Sequence, residues 1–178
     1  GAAQVSPRPG EPEDAAAIFE ALAATLRACR LPVALFADLL DAFRQDLAVT
    51  RYETWDDLAD YCRRSANPVG RLVLRIGGHD DPRLDAASDA ICTALQLTNF
   101  WQDVASDHGR GRIYVPREVL RVHGAREEDA GRAPLPAEWR AAIAAAVVRT
   151  RQRFAAGRPL AVALRGRLAW DVRATWLG

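Results

Sequence analysis

Beyond residue 12, apolar side chains recur every three or four positions in nearly every segment, and no sizeable stretch alternates apolar with polar. A face with that period belongs to a helix and cannot be laid on a pleated sheet. Ile18, Leu22, Leu26 and Cys29 form one stripe, ended by Pro32, and Phe36, Leu39, Leu40, Phe43 and Leu47 form the next. Thr54 followed by Asp57 reads as the N-cap and acidic first turn of a helix through Leu58, Cys62, Ala66, Val69 and Val73, ended by Gly77 and Gly78. A longer helix is expected from about Pro82 to His108, stopped by Gly109. Trp139, Ile143, Val147, Thr150 and Phe154 mark another, and Leu160, Leu164, Leu168, Val172 and Trp176 mark the last. Only Ile113-Tyr114-Val115-Pro116 reads as extended. The fold class is therefore all-α, a helical bundle. Residues 1–12, rich in Pro and Gly, form a flexible lead-in, and 13–178 a single helical domain.

Several functional classes fall away at this point. The longest apolar run, Ala141 to Val148, is far short of the roughly 20 residues that span a bilayer. The N-terminus lacks the basic start and apolar core of a secretory signal, so a cytoplasmic location is expected. Cys29, Cys62 and Cys92 are widely spaced with no Cys-x-x-Cys pair, which fits small core residues better than a disulfide framework or a zinc site. A net charge of +1 and the lack of a recognisable binding module argue against a nucleic-acid partner. All 24 basic residues are arginine, and methionine is missing even at position 1, so the chain is expected to be part of a longer product.

One segment carries chemistry. Asn99, Asp103 and Asp107 are spaced i, i+4, i+8, which stacks them on one helix face about 5–6 Å apart, and Gln96 joins that face. The rest of the helix is apolar, with Ile91, Leu95, Leu97, Phe100, Trp101 and Val104. Two like-charged carboxylates in a buried stripe repel one another and call for a cation. Mg²⁺ is the natural one, because it takes oxygen ligands and commonly shares one or two carboxylates with substrate phosphates. Just downstream, Gly109-Arg110-Gly111-Arg112 offers arginines that could clamp a phosphate. The plain alternative is a solvated acidic face with an ordinary C-cap, and spacing alone leaves the two readings open.

The string Gln96-Leu97-Thr98-Asn99-(x)3-Asp103-(x)3-Asp107, followed by Gly111-Arg112-Ile113-Tyr114-Val115-Pro116, resembles the second aspartate-rich motif of the squalene and phytoene synthases. Tyr61-Cys62-Arg63-Arg64-Ser65-Ala66-Asn67-Pro68-Val69-Gly70 is similar to that family's preceding helix, and the order of segments agrees from about Leu31 onward. Asn67-Pro68 and Phe100-Trp101-Gln102 resemble the hydroxysqualene-forming subgroup of hopanoid biosynthesis. The resemblance implies an isoprenoid-synthase-type helical bundle, truncated at its N-terminus, in which Asn99, Asp103 and Asp107 bind Mg²⁺. It implies that Tyr61, Gln96, Arg112 and Tyr114 line the diphosphate and reaction cavity. The implied activity is a Mg²⁺-dependent ionisation of presqualene diphosphate to hydroxysqualene or squalene with release of diphosphate. Within the family the alternative is a head-to-head prenyltransferase making phytoene or presqualene diphosphate. Outside it, the alternative is a non-catalytic helical binding module. The family's first aspartate-rich motif is not matched before Asp38, so the 178-residue polypeptide by itself is expected to be inactive.

Other charged features read as structural. Asp38 with Asp41, and Asp56 with Asp57 and Asp60, belong to helix surfaces and a capped first turn. Asp46 is taken as a helix-surface charge near Arg51, and His79, His108 and His123 have no useful partner at motif spacing. From Trp139 to Gly178 there are eight Arg and one acidic residue, Asp171, with Trp170 and Trp176 interleaved. That segment fits the outer face of a core helix, or else a basic amphipathic surface in peripheral contact with an anionic membrane.

Overall fold

The apolar stripes become eight α-helices among the described residues, which are 15–166, 169–170 and 172–173 of this computed structural model. The expected lead-in over 1–12, Leu168 and Trp176 of the last stripe, and Asp171 of the basic segment lie outside them. In chain order the helices are α1 (Ala15–Ala28), α2 (Val33–Gln45), α3 (Trp55–Ser65), α4 (Asn67–Ile76), α5 (Pro82–Gln102), α6 (Val104–Gly109), α7 (Arg117–His123) and α8 (Ala137–Ala163). A single 3-10 turn, Glu127–Asp129, precedes α8. No β-strand occurs among the described residues; the expected extended segment makes one isolated parallel bridge, Arg51 to Ile113.

Three boundaries differ from the expectation, and each has a local cause. The helix foreseen from Thr54 to Val73 is two helices, broken at Ala66, whose φ of −118° departs from helical values. Pro68 has no N–H to give the Arg64 carbonyl, so the ladder cannot run through. Thr54 does cap α3: its hydroxyl accepts from the Asp57 N–H, and the Asp57 carboxylate accepts from the Thr54 N–H. The helix foreseen from Pro82 to His108 breaks at Asp103, at φ −100°, ψ 13°. In the opposite sense, the stripes around Trp139 and Leu160 belong to one helix, α8, which continues through Pro159. Packing overrides the proline there. α8 lies along α5, where the Trp101 indole donates to Thr150 Oγ1 at 2.8 Å and Ala142 and Ala146 are fully buried.

α3 and α4 together run antiparallel to α5. The rungs are Tyr61 against Phe100, Asn67 accepting from Thr93 at 2.9 Å, and Arg71 and Arg75 paired with Asp89 and Asp85. Midway, Gly70 lets the backbones approach: a Cβ there would lie 2.3 Å from Ser88 Oγ and 2.5 Å from Cys92 Sγ. Gly70→Ala is therefore expected to cost about 1–3 kcal/mol in urea denaturation. An unchanged midpoint would contradict this packing.

The main core gathers Leu58, Cys62, Leu97, Trp101, Val115 and Trp139 between α3, α5 and α8. Burial pushes the Cys62 thiol up to about 12, which keeps it inert, as expected of a core cysteine. α1 and α2 differ from the expected burial. Ile18, Leu40, Phe43 and Leu47 are exposed, while Leu35 and Ala42 form the covered face of α2.

Candidate functional site

α5 and α6 carry Asn99, Asp103 and Asp107, and the break between them does not scatter the three. The Asp103 N–H bonds to the Asn99 carbonyl at 3.0 Å and the Asp107 N–H to the Asp103 carbonyl at 2.8 Å, so the one-turn repeat survives the bend. Asn99 and Asp103 are exposed, whereas the Asp107 side chain retains 14% of its exposure. Burial, and next the neighbouring Asp103, push the Asp107 carboxyl above the ordinary carboxylate range against the pull of Arg110 and Arg112. The ladder thus presents two carboxylates and a carboxamide. Among the described residues no three His, Cys, Asp or Glu side chains converge as a metal cage. An oxygen-only set of this size suits a hard cation that completes its shell with water and phosphate oxygens.

The chain then turns at Gly111, whose φ of +77° is open to glycine at little cost. Arg51 holds that turn, donating from Nη1 to the Gly111 carbonyl at 2.6 Å while its Nε bonds to Glu127 at 2.8 Å. The Arg112 N–H returns to the Asp107 carbonyl at 2.8 Å, which fastens the arginine to the acidic ladder. Beyond it, Ile113 and Arg117 bond to the carbonyls of Thr50 and Tyr52. The extended segment expected at 113–116 therefore serves to hold Tyr114 beside Tyr52.

Four rings close the site: Tyr52, Tyr61, Phe100 and Tyr114. Phe100 stacks on Tyr114 at 3.8 Å and 5°, Tyr52 lies 5.5 Å from Tyr61, and Tyr61 lies 6.2 Å from Tyr114. Of the two neighbouring aromatics in the sequence motif, Phe100 thus faces the site. Trp101 points the other way, to Thr150 and Trp55.

The hub of the arrangement is a residue taken above as a surface charge. Asp46 accepts from the Tyr61 hydroxyl at 2.9 Å and from Arg112 Nη1 at 3.3 Å, and its backbone carbonyl accepts from Arg112 Nη2 at 2.6 Å. Arg51 pairs with Glu127 instead. The sequence did carry a hint: Asp46 is the C-cap residue of α2, where the helix dipole disfavours a carboxylate unless a cation answers it. Arg112 also donates to the Tyr114 hydroxyl at 3.2 Å, and this bond, together with Asp46, holds it firmly charged. Burial, then the bond to Asp46, pushes the Tyr61 hydroxyl well above the usual phenol range.

Of the residues singled out from sequence, Tyr61, Arg112 and Tyr114 meet directly, and Asn99, Asp103 and Asp107 adjoin them through the Asp107–Arg112 backbone bond. Gln96 is half-buried one turn before Phe100. No helix among the described residues is long and apolar enough to cross a membrane.

Comparison with known proteins bears on this geometry. Residues 3–178 match the family model of squalene/phytoene synthase. The chain is 47% identical over 116 residues to a hydroxysqualene synthase from Zymomonas mobilis, covering 64% of this chain and 38% of that one. It is 41% identical over 129 residues to a hydroxysqualene synthase from Rhodopseudomonas palustris, covering 72% and 44%. A crystal structure of the squalene synthase HpnC from Alicyclobacillus acidocaldarius superposes with a TM-score of 0.85 at 44% identity, over 90% of this chain and 61% of that one. The chain thus spans less than half the length of the two curated relatives.

Proposed function

The chain belongs to the squalene/phytoene synthase family, and from that premise we propose that it carries the diphosphate-handling part of an enzyme that ionises presqualene diphosphate, releases diphosphate and delivers hydroxysqualene. The observation that carries this reading is the ladder of Asn99, Asp103 and Asp107 fastened to Arg112 beside a box of four aromatic rings. The relatives' names support the hydroxysqualene branch.

Asn99, Asp103 and Asp107 would hold Mg²⁺ through oxygen atoms, leaving positions for the substrate's phosphate oxygens. When bound, the ion would offset the negative charge that grows on the departing diphosphate. Arg112 does the same from the protein side; its guanidinium, held by Asp46 and Tyr114, needs little reorganisation as the C–O bond breaks. The ring faces of Tyr52, Tyr61, Phe100 and Tyr114 offer electron density to a carbocation and exclude bulk water from it. Tyr61 stays protonated in that box, because a phenolate there would be buried against Asp46.

The test is product analysis of the native enzyme, expressed from its complete gene, with presqualene diphosphate. Hydroxysqualene and diphosphate are expected in equal amounts with Mg²⁺, with activity lost in EDTA and regained when Mg²⁺ is added back. Turnover in EDTA, or consumption of two prenyl diphosphates to a condensed product only, would overturn the reading.

A further inference from the structure

We infer that the outward face of α8 is a docking surface for an anionic phospholipid bilayer, an inference that stands apart from the reaction proposed above. The inner face of α8 is taken up by the core, through Trp139, Ala142, Ala146, Thr150, Gly157 and Leu160. A helix set on a core in this way ordinarily turns polar side chains to water. The line opposite the core carries instead Ala141, Ala144, Val148, Ala155 and Val162, whose spacing of three, four and seven keeps them on one side. All five are exposed, Val148 by 57% and Val162 by 71%. From Ala141 to Val162 this uncharged line runs for about 32 Å.

The edges of that line are basic. Arg140, Arg151 and Arg158 border it on one side, and Arg149 and Arg153 stand on the other. Glu138 is the sole acidic residue of the helix, and among the described residues none of these five exposed guanidinium groups pairs with a carboxylate. Elsewhere even exposed arginines find one: Arg44 pairs with Asp41, Arg63 with Asp60, Arg121 with Glu53 and Arg132 with Asp129. In a chain whose net charge is only +1, unanswered positive charge is thus gathered on one helix.

The chemistry of the face selects the partner. Its outermost side chains offer no hydrogen bond to a base or a peptide, and being short they let the bordering arginines reach past them. Arginines in that setting lay their methylenes along apolar surface and hold the guanidinium at the level of lipid phosphates. Just beyond α8 the chain folds back, Arg173 donating to the Ala161 carbonyl at 2.8 Å, and there the Trp170 indole, of a type that prefers the bilayer interface, is 72% exposed. Beside the line a groove of about 450 Å³ opens between α7 and α8, lined by Trp55, Glu118, Val119, Val122, His123 and Arg149. Arg149 lies over the Trp55 ring, 4.7 Å from its centroid, while Glu118 is engaged by the Trp55 N–H at 2.7 Å, so the groove keeps a cation for one headgroup phosphate. Because the outward face points away from α5, docking leaves the rings of Tyr61 and Phe100, between α3 and α5, clear.

The experiment is co-sedimentation of the native enzyme, expressed from its complete gene, with vesicles of phosphatidylglycerol and phosphatidylcholine in equal parts and with vesicles of phosphatidylcholine alone. Binding is expected to the anionic vesicles only, weakening as salt rises from about 0.15 M to 1 M and the screening length shrinks from about 8 Å to 3 Å. Arg151→Gln/Arg158→Gln is expected to bind about 30-fold more weakly, since each arginine near the surface contributes roughly fivefold. Val148→Asp, which sets a negative charge on the outermost line, should weaken binding by about fivefold or more. Arg27→Gln/Arg30→Gln removes as much charge from two exposed arginines outside α8 and should bind like wild type. Thermal melts verify that each variant, altered only at exposed positions, is folded. Equal binding to both kinds of vesicle, binding to neither, full binding by either α8 variant, or equal losses in the two arginine pairs overturns the inference. So does a doubled mass in light scattering that Val148→Asp returns to one chain, which would show a second copy covering the face.

Discussion

Asp107→Asn in the native enzyme is expected to lower turnover of presqualene diphosphate on the order of 100- to 1000-fold, the scale of losing one charge-stabilising contact in a transition state. The same change should not harm the fold. Asp107 is pushed above the ordinary carboxylate range by burial and by Asp103, so its charged form opposes folding. For an acid with a raised native pKa, that opposition is absent below the unfolded-state pKa and fully felt above the folded one. Metal-free Asp107→Asn should therefore melt at or slightly above wild type at neutral pH, with about 0.3 kcal/mol from relieved like-charge repulsion alone. The gain should vanish as the pH falls below the carboxylate range. Kinetics and melting curves on one preparation check both halves. Full turnover, or a large drop in Tm, would remove Asp107 from the diphosphate site.

Asp46→Ala is expected to cost about 100-fold in kcat, with a smaller effect on KM, although Asp46 is placed to hold other groups rather than to touch the reacting atoms. Its loss leaves the buried Tyr61 hydroxyl without its acceptor and frees Arg112 from one of its two side-chain anchors, Tyr114 being the other. Both groups would then lose the alignment that the ring box depends on. A double-mutant cycle with Tyr61→Phe separates this from simple destabilisation. Because the two residues share one hydrogen bond, the pair should be no worse than Asp46→Ala alone, a coupling of about 0.5–3 kcal/mol. Fully additive losses in kcat would mean that Asp46 and Tyr61 act independently.

The contrast between Asp107 and Asp46 marks how far the sequence reaches. Helical period identified the bundle and the polar ladder at 99, 103 and 107, and capping chemistry the N-cap at Thr54, because bonds within one turn are a local property that survives even the bend at Asp103. Motif order added Arg112, Tyr114 and Tyr61. What the sequence could not carry was anything decided by contact across the fold. Asp46 is 15 residues from Tyr61 and 66 from Arg112, so its role emerges only when the 113–116 segment is stitched to residues 50–53. The two stripes around Trp139 and Leu160 read as separate helices, and in the packed chain they belong to one, α8, laid along α5. Sequence determined which residues share a helix face, because that depends on bonds four residues apart. The tertiary structure decided which faces meet, because burial, ion pairing and ring stacking act between residues the chain itself keeps far apart.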